Sequence, residues 1–174
     1  SNNELSGTLP PTIGNFSNLV GLNLKGNRFS GSIPPQIGNL QPLMWIDLSS
    51  NNFSGKIPEL PGIRFMYISH NMLQGAFPVF PSTIIDFLAS NNRLSGPIDS
   101  SICNSSLVSL DLSNNMLFGQ IPSCLPSSSK YLRMLNLGSN DLVGSIPANF
   151  SKCDQLQDLD LSYNQLEGIV PRSL

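Results

Sequence analysis

The chain has 174 residues, a net charge of −2 and a pI of about 5.1. That length suits one ordinary domain, and that balance excludes the basic surface a nucleic-acid-binding protein needs. Charged residues make up only 11%, against about a quarter in a typical domain, and apolar residues never run for the ~18 positions needed to cross a bilayer.

In chain order, the segments "LVGLNLKGNRFSGSIPPQIGN" (19–39), "LMWIDLSSNNFSGKIP" (43–58) and "IRFMYISHNMLQGAFP" (63–78) share one skeleton. So do "LVSLDLSNNMLFGQIP" (107–122), "LRMLNLGSNDLVGSIP" (132–147) and "LQDLDLSYNQLEGIVP" (156–171). The skeleton is LxxLxLxxNxLxGxIP. Its Asn falls at Asn3, Asn27, Asn51, Asn71, Asn92, Asn115, Asn140 and Asn164, with gaps of 24, 24, 20, 21, 23, 25 and 24. Asn92 is preferred to Asn91 because Leu94 and Gly96 then keep register.

A fixed period of this kind marks a stacked array. The alternation in LxLxxN predicts a short strand with its Leu pointing inward. One strand per turn must stack as a parallel sheet about 4.8 Å from strand to strand. The Asn carries both a carbonyl and an NH₂, so a column of Asn can satisfy backbone groups where the chain leaves the strand. The Gly suits positive φ or a close approach, and the Pro ends the segment. No stretch of ~10 residues keeps a helical period, so short 3-10 turns and extended pieces should complete each turn.

These copies resemble the plant-type extracellular leucine-rich repeat over essentially the whole chain. The resemblance implies an α/β solenoid: a right-handed superhelix of about seven full repeats with its parallel sheet on the concave face. It also implies a second small sheet formed by the GxIP segments. Residues 1–174 should form a single array. It starts at "SNNELSG" and stops at "PRSL" without the family's caps, so the expectation is an uncapped piece of a longer ectodomain.

Nothing in the chain announces catalysis. His70 is the single His, no Ser or Cys sits in a GxSxG-like context, and no Cys/His cluster has metal-ligand spacing. The expectation is a non-enzyme that needs no cofactor. N-x-S/T occurs at Asn15, Asn52, Asn104 and Asn149. Chance alone would supply about as many, so their meaning as glycosylation sites comes from the extracellular resemblance. Asn15, Asn104 and Asn149 fall on the convex side and Asn52 at the concave margin. Cys103, Cys124 and Cys153 lie in successive turns. Neighbouring turns bring equivalent positions to about 5 Å, so Cys103–Cys124 can pair and Cys103–Cys153 cannot. Small buried thiols are the competing reading. In sequences resembling "FSKCDQL…PRSL" a further Cys often follows, which would be the partner of Cys153.

The exposed strand positions form columns. The first is Gly21, Trp45, Phe65, Asp86, Ser109, Met134 and Asp158; the second is Asn23, Asp47, Tyr67, Leu88, Asp111, Asn136 and Asp160. A third, Lys25, Ser49, Ser69, Ser90, Ser113, Gly138 and Ser162, is Ser-rich filler that also faces outward. Trp45, Phe65, Tyr67 and Leu88 should meet as an apolar patch, with His70, Met72 and Arg93 on the next columns outward. Lys25 and Arg28 flank one end, and Asp111, Asp141, Asp158 and Asp160 load the other. An exposed aromatic cluster with a polar rim marks an interaction site; cross-strand packing alone is the other reading.

The order of the shortened turns and of "SSICNSSLVSLDLSNN" and "IPSCLPSSSKYLRMLNLGSN" is similar to plant receptor-like proteins. That resemblance implies a cell-surface recognition module, anchored to the plasma membrane in the full-length protein or released to the apoplast. Its expected partners are a peptide or protein ligand and a co-receptor kinase, in immunity or development, with no nucleic acid and no membrane contact by this segment. The alternatives are a secreted inhibitor of microbial wall-degrading enzymes, similar to polygalacturonase-inhibiting proteins, and a scaffold stretch that touches no ligand.

Overall fold

The computed structural model describes residues 3–128, 130–148, 150 and 153–172. The expected alternation becomes one sheet of seven three-residue strands: β2 (Gly21–Asn23), β4 (Trp45–Asp47), β6 (Phe65–Tyr67), β8 (Asp86–Leu88), β10 (Ser109–Asp111), β12 (Met134–Asn136) and β14 (Asp158–Asp160). The middle residue of each points inward; Ile46, Met66, Phe87, Leu110 and Leu135 are buried. All neighbours are parallel, and the register aligns the first two columns as the skeleton predicts: Gly21 against Trp45, Trp45 against Phe65, Phe65 against Asp86, and on to Asp158.

A second parallel sheet runs beside it with eight strands: β1 (Ser6–Thr8), β3 (Arg28–Ser32), β5 (Asn52–Gly55), β7 (Met72–Ala76), β9 (Arg93–Gly96), β11 (Met116–Gln120), β13 (Asp141–Ser145) and β15 (Gln165–Glu167). From β3 onward each strand begins directly after a ladder Asn and ends near the Gly, so the sheet is neither small nor built on GxIP. The Gly residues all have positive φ, from 75° at Gly31 and Gly55 to 99° at Gly7. That backbone state is open to Gly at no steric cost, and the residue two positions on is buried at Leu9, Ile33, Phe77, Ile98 and Ile121.

The Asn ladder holds the two sheets at their shared corner. Asn51 donates through Nδ2 to the carbonyls of Leu24 in the preceding turn (2.9 Å), Leu48 (3.1 Å) and Ser49 (3.2 Å), and its Oδ1 accepts from the amide of Phe29 (3.0 Å). Asn71, Asn92, Asn115, Asn140 and Asn164 repeat the pattern. The residue before each ladder Asn is left-handed: Gly26, Ser50, His70, Asn91, Asn114, Ser139 and Tyr163, with φ between 51° and 65°.

The outer side carries 3-10 turns at Pro11–Asn15, Pro35–Asn39 and Ser100–Asn104 and a four-residue helical turn at Leu125–Ser128. The two short turns, between Asn51 and Asn92, have none. Bulk replaces length there. Phe77, Phe80 and Phe87 are buried against one another, with ring centroids 5.0 Å (Phe77–Phe80) and 4.6 Å (Phe80–Phe87) apart. Three aromatic rings fill the space that a 3-10 turn and its Ile occupy elsewhere.

Candidate functional site

Of the proposed binding residues, Trp45, Phe65, Tyr67 and Leu88 come from three adjacent strands of the seven-stranded sheet and share its outer face. Phe65 lies between Trp45 and Asp86, and Tyr67 between Asp47 and Leu88. Trp45 is 38% exposed. Its indole lies across the neighbouring strand at Gly21, where a Cβ would collide with Nε1 and Cε2 of the ring. The missing side chain of Gly21 is thus the seat of the only Trp. The Arg64 guanidinium sits 5.9 Å from the centre of the Phe65 ring.

Tyr67 reaches diagonally to its other neighbour and donates its phenol hydrogen bond to Asp86 Oδ2 at 3.2 Å. Burial first, then the negative charge of Asp86, pushes the Tyr67 hydroxyl above its usual pKa. Lys25 Nζ stands 4.0 Å from Asp47 Oδ2. Together with the exposed His70 and with Leu88, these groups line an open cleft of about 410 Å³ on the sheet face, within the range of ligand pockets. His70 leaves the strand with φ 57°, its amide bonded to Ser90 O (2.9 Å).

The second column does more than composition suggests. Asn23, Asp47, Asp111, Asn136 and Asp160 each accept, through Oδ1, the amide of the residue two positions on, at 2.9–3.1 Å. These Asx-turns cap the strand ends. Tyr67 and Leu88 hold the same column position and have no such oxygen. The signal was present in the recurring D/N-x-S/G pattern, but its local role appears only once the strands end at three residues.

Several placements differ from expectation. Arg93 is exposed on β9, opposite Gln74 in the eight-stranded sheet, and so lies away from the Trp45–Leu88 face. Met72, Arg28 and Asp141 also follow a ladder Asn and move with it to that sheet. There Arg28 pairs with Glu4 at 2.9 Å, and Asp141 accepts from Gln165 at 3.3 Å. The ladder Asn is where the chain crosses from one sheet to the other, so the next residue cannot be counted as a further column. The third column is divided: Ser49, Ser90 and Ser113 turn inward and are buried, with the Ser49 and Ser113 hydroxyls bonded to Asp47 and Asp111, while Lys25 and Ser162 stay exposed.

Asn15 and Asn104 close 3-10 turns and are exposed, Asn52 opens β5 and is exposed, and Asn149 lies outside the described residues. Cys103 is joined to Cys124 in a disulfide with Cα atoms 5.8 Å apart. Cys153 is a buried free thiol whose Sγ donates to the Pro126 carbonyl; burial, then Asp154, raises its pKa. Among the described residues no group of His, Cys, Asp or Glu could hold a metal ion, and no helix is long and apolar enough to cross a membrane.

Models described as leucine rich repeat match residues 130–174 and, separately, 18–40, 42–62 and 106–128. Receptor-like protein 35 of Arabidopsis thaliana is 41% identical over 125 residues, which is 66% of this chain but only 13% of that protein. The crystal structure of a TDR receptor superposes with a TM-score of 0.94 at 36% identity, over 99% of this chain and 31% of that one. The Arabidopsis receptor kinase HAESA, solved with the peptide hormone IDA and the co-receptor SERK1, gives 0.77 at 30% identity, over 98% of this chain and 34% of its own. The curated relative is thus several times longer than the stretch it shares. Two parallel sheets, an unbroken Asn ladder and these matches show that the chain belongs to the leucine-rich repeat family, in the form found in the ectodomains of plant receptor-like proteins.

Proposed function

We propose that this chain is one stretch of the ligand-recognition array of a plant cell-surface receptor. It lies outside the cell and binds a peptide through the face of the seven-stranded sheet, which we read as the concave face. Trp45, Phe65, Tyr67 and Leu88 form the contact surface, with His70 at its margin. A co-receptor kinase completes the signalling unit, as in the HAESA assembly, and the pathway serves immunity or development. Arg93 has no part in this surface. Asn15, Asn52, Asn104 and Asn149 are the candidate glycan positions.

The observation that carries this reading is the second column. Five turns use that position to cap their own backbone, a role worth about 1 kcal/mol for a hydrogen bond of this kind. The two turns that give up the cap are adjacent: Tyr67 follows Phe65 on β6, diagonally across from Trp45, and Leu88 lies directly opposite Tyr67. Structural economy alone favours Asp there.

The test is selection of phage-displayed decapeptides on the chain, followed by affinity measurement on Trp45→Ala and Tyr67→Ala. Both variants should melt within a few degrees of the parent and lose most of the binding. Selected peptides that bind both variants as tightly as the parent overturn the assignment of this face.

A further inference from the structure

Charge is distributed unevenly over the molecule. The outer face of the seven-stranded sheet carries five carboxylates, Asp47, Asp86, Asp111, Asp158 and Asp160, and one ammonium group, Lys25, beside Asp47. The whole chain has a net charge of only −2, so everything outside this face is net positive. From β8 to β14 the two columns contain acids, Asn136, Ser109, Met134 and Leu88, and no cation. Arg64 and Arg133 stand just before β6 and β12, at the margin of the sheet rather than in its columns.

Three of these acids are also fixed in direction. Asp111 and Asp160 are each held by the Asx bond through Oδ1, and Asp86 by the Tyr67 hydroxyl. The hydrogen bonds from Ser162 hold the Asp160 pKa below the usual carboxylate value, which keeps it charged. Oriented charges that need no reorganisation favour an opposite charge at lower entropic cost.

From these observations we infer that the ligand is a linear peptide that is apolar at one end and cationic at the other. This rests on the sheet face being the binding surface. Its apolar end lies on Trp45, Phe65, Tyr67 and Leu88, and its Lys or Arg residues run along Asp86, Asp111, Asp158 and Asp160. Trp45 and Asp158 are five strand steps apart in the register, or about 24 Å. An extended chain covers that in about seven or eight residues. The basic residues fall within the last four or five, over the three steps from Asp86 to Asp158.

The same decapeptide selection reads this out in sequence. Peptides enriched in Lys and Arg on one side of an apolar pair are expected, with affinity falling steeply between about 50 and 300 mM salt. The triple variant Asp111→Asn, Asp158→Asn, Asp160→Asn keeps an Oδ1 acceptor in every Asx-turn, so it keeps the fold. It should weaken the selected peptides at least about tenfold. The control Glu59→Gln, Asp154→Asn, Glu167→Gln removes three charges elsewhere and should leave affinity within about twofold. Enrichment of neutral or acidic peptides, or equal weakening by both triple variants, overturns the cationic ligand. If those peptides are still lost on Trp45→Ala, the binding face itself stands; if they are not, it falls too.

Discussion

Two stretches of one sheet differ in what they do with the same position. In β10, β12 and β14 the second-column residue is Asp111, Asn136 or Asp160, and its oxygen caps the backbone two residues on. In β6 and β8 it is Tyr67 or Leu88, and the side chain is left for the surface. Register, inward packing and Asn ladder are shared by both stretches. At the sheet the frame is therefore not what distinguishes them; behind it, β6 and β8 belong to the two short turns, which carry no 3-10 turn. A repeat array can keep its backbone constant and vary chemistry only where a local cap can be given up at small cost.

The sharpest check on the shared frame is its ladder. Asn140 is buried and makes four hydrogen bonds, three as donor and one as acceptor from the Leu117 amide. Asn140→Ala leaves several buried backbone groups without partners and should cost about 3 kcal/mol or more in urea unfolding. Asn92→Ala, on the apolar stretch, should cost a similar amount, since it makes the same set of bonds. A large difference between the two would mean that the stretches differ in frame as well as face.

The difference itself is tested by exchange. Asp111→Ala removes the acceptor used by both the amide and the hydroxyl of Ser113 and should lower stability by about 1 kcal/mol. Leu88→Asn offers a new acceptor two residues before the buried Ser90 without placing a second carboxylate opposite Asp111, and should be neutral or stabilising by about 0.5 kcal/mol. Destabilisation by both would show that Leu88 is held for packing.

Much of this was legible in the sequence because a repeat states the same physics several times. The strands, the inward Leu, the ladder and the choice of Asn92 over Asn91 follow from spacing alone. Two features did not. Column counting assumed that the strand continues to the ladder Asn, whereas the chain turns first, through the left-handed residue at His70 and its equivalents. Gly26, Asn91 and Asn114 at that position were the available signal, since Gly and Asn tolerate positive φ. That turn buries Ser49, Ser90 and Ser113 and carries Arg93 to the other sheet. The seat of Trp45 on Gly21 was also hidden, because an absent side chain is informative only once its neighbour is known.

That seat gives a small, specific perturbation of the aromatic stretch. Gly21→Ala places a methyl where the Trp45 ring lies and must displace it. Both residues are on the outer face, so stability should change by about 0.5 kcal/mol or less. The emission of the single Trp should shift to the red as the ring leaves its neighbour for water. Peptide affinity should fall with it. An unshifted spectrum would mean that the indole does not rest on Gly21.

The smallest effect concerns Tyr67 and is visible only at high pH. Its hydroxyl is raised above the ordinary tyrosine value by burial and by Asp86, so the folded state favours the protonated phenol. Stability from that preference is complete below the unfolded pKa of about 10 and is lost as pH rises through the higher folded value. Ultraviolet titration should therefore show a phenol step above the ordinary tyrosine value of about 10, and that step belongs to Tyr67. Tyr67→Phe should remove this step and flatten the alkaline loss of stability. Asp86→Asn should bring the step to lower pH without abolishing it, since burial remains as the larger cause. If Asp86→Asn left the step where it was, the Tyr67–Asp86 bond would not persist in solution. The aromatic stretch would then lose the Tyr67–Asp86 tie to the acidic end of the sheet.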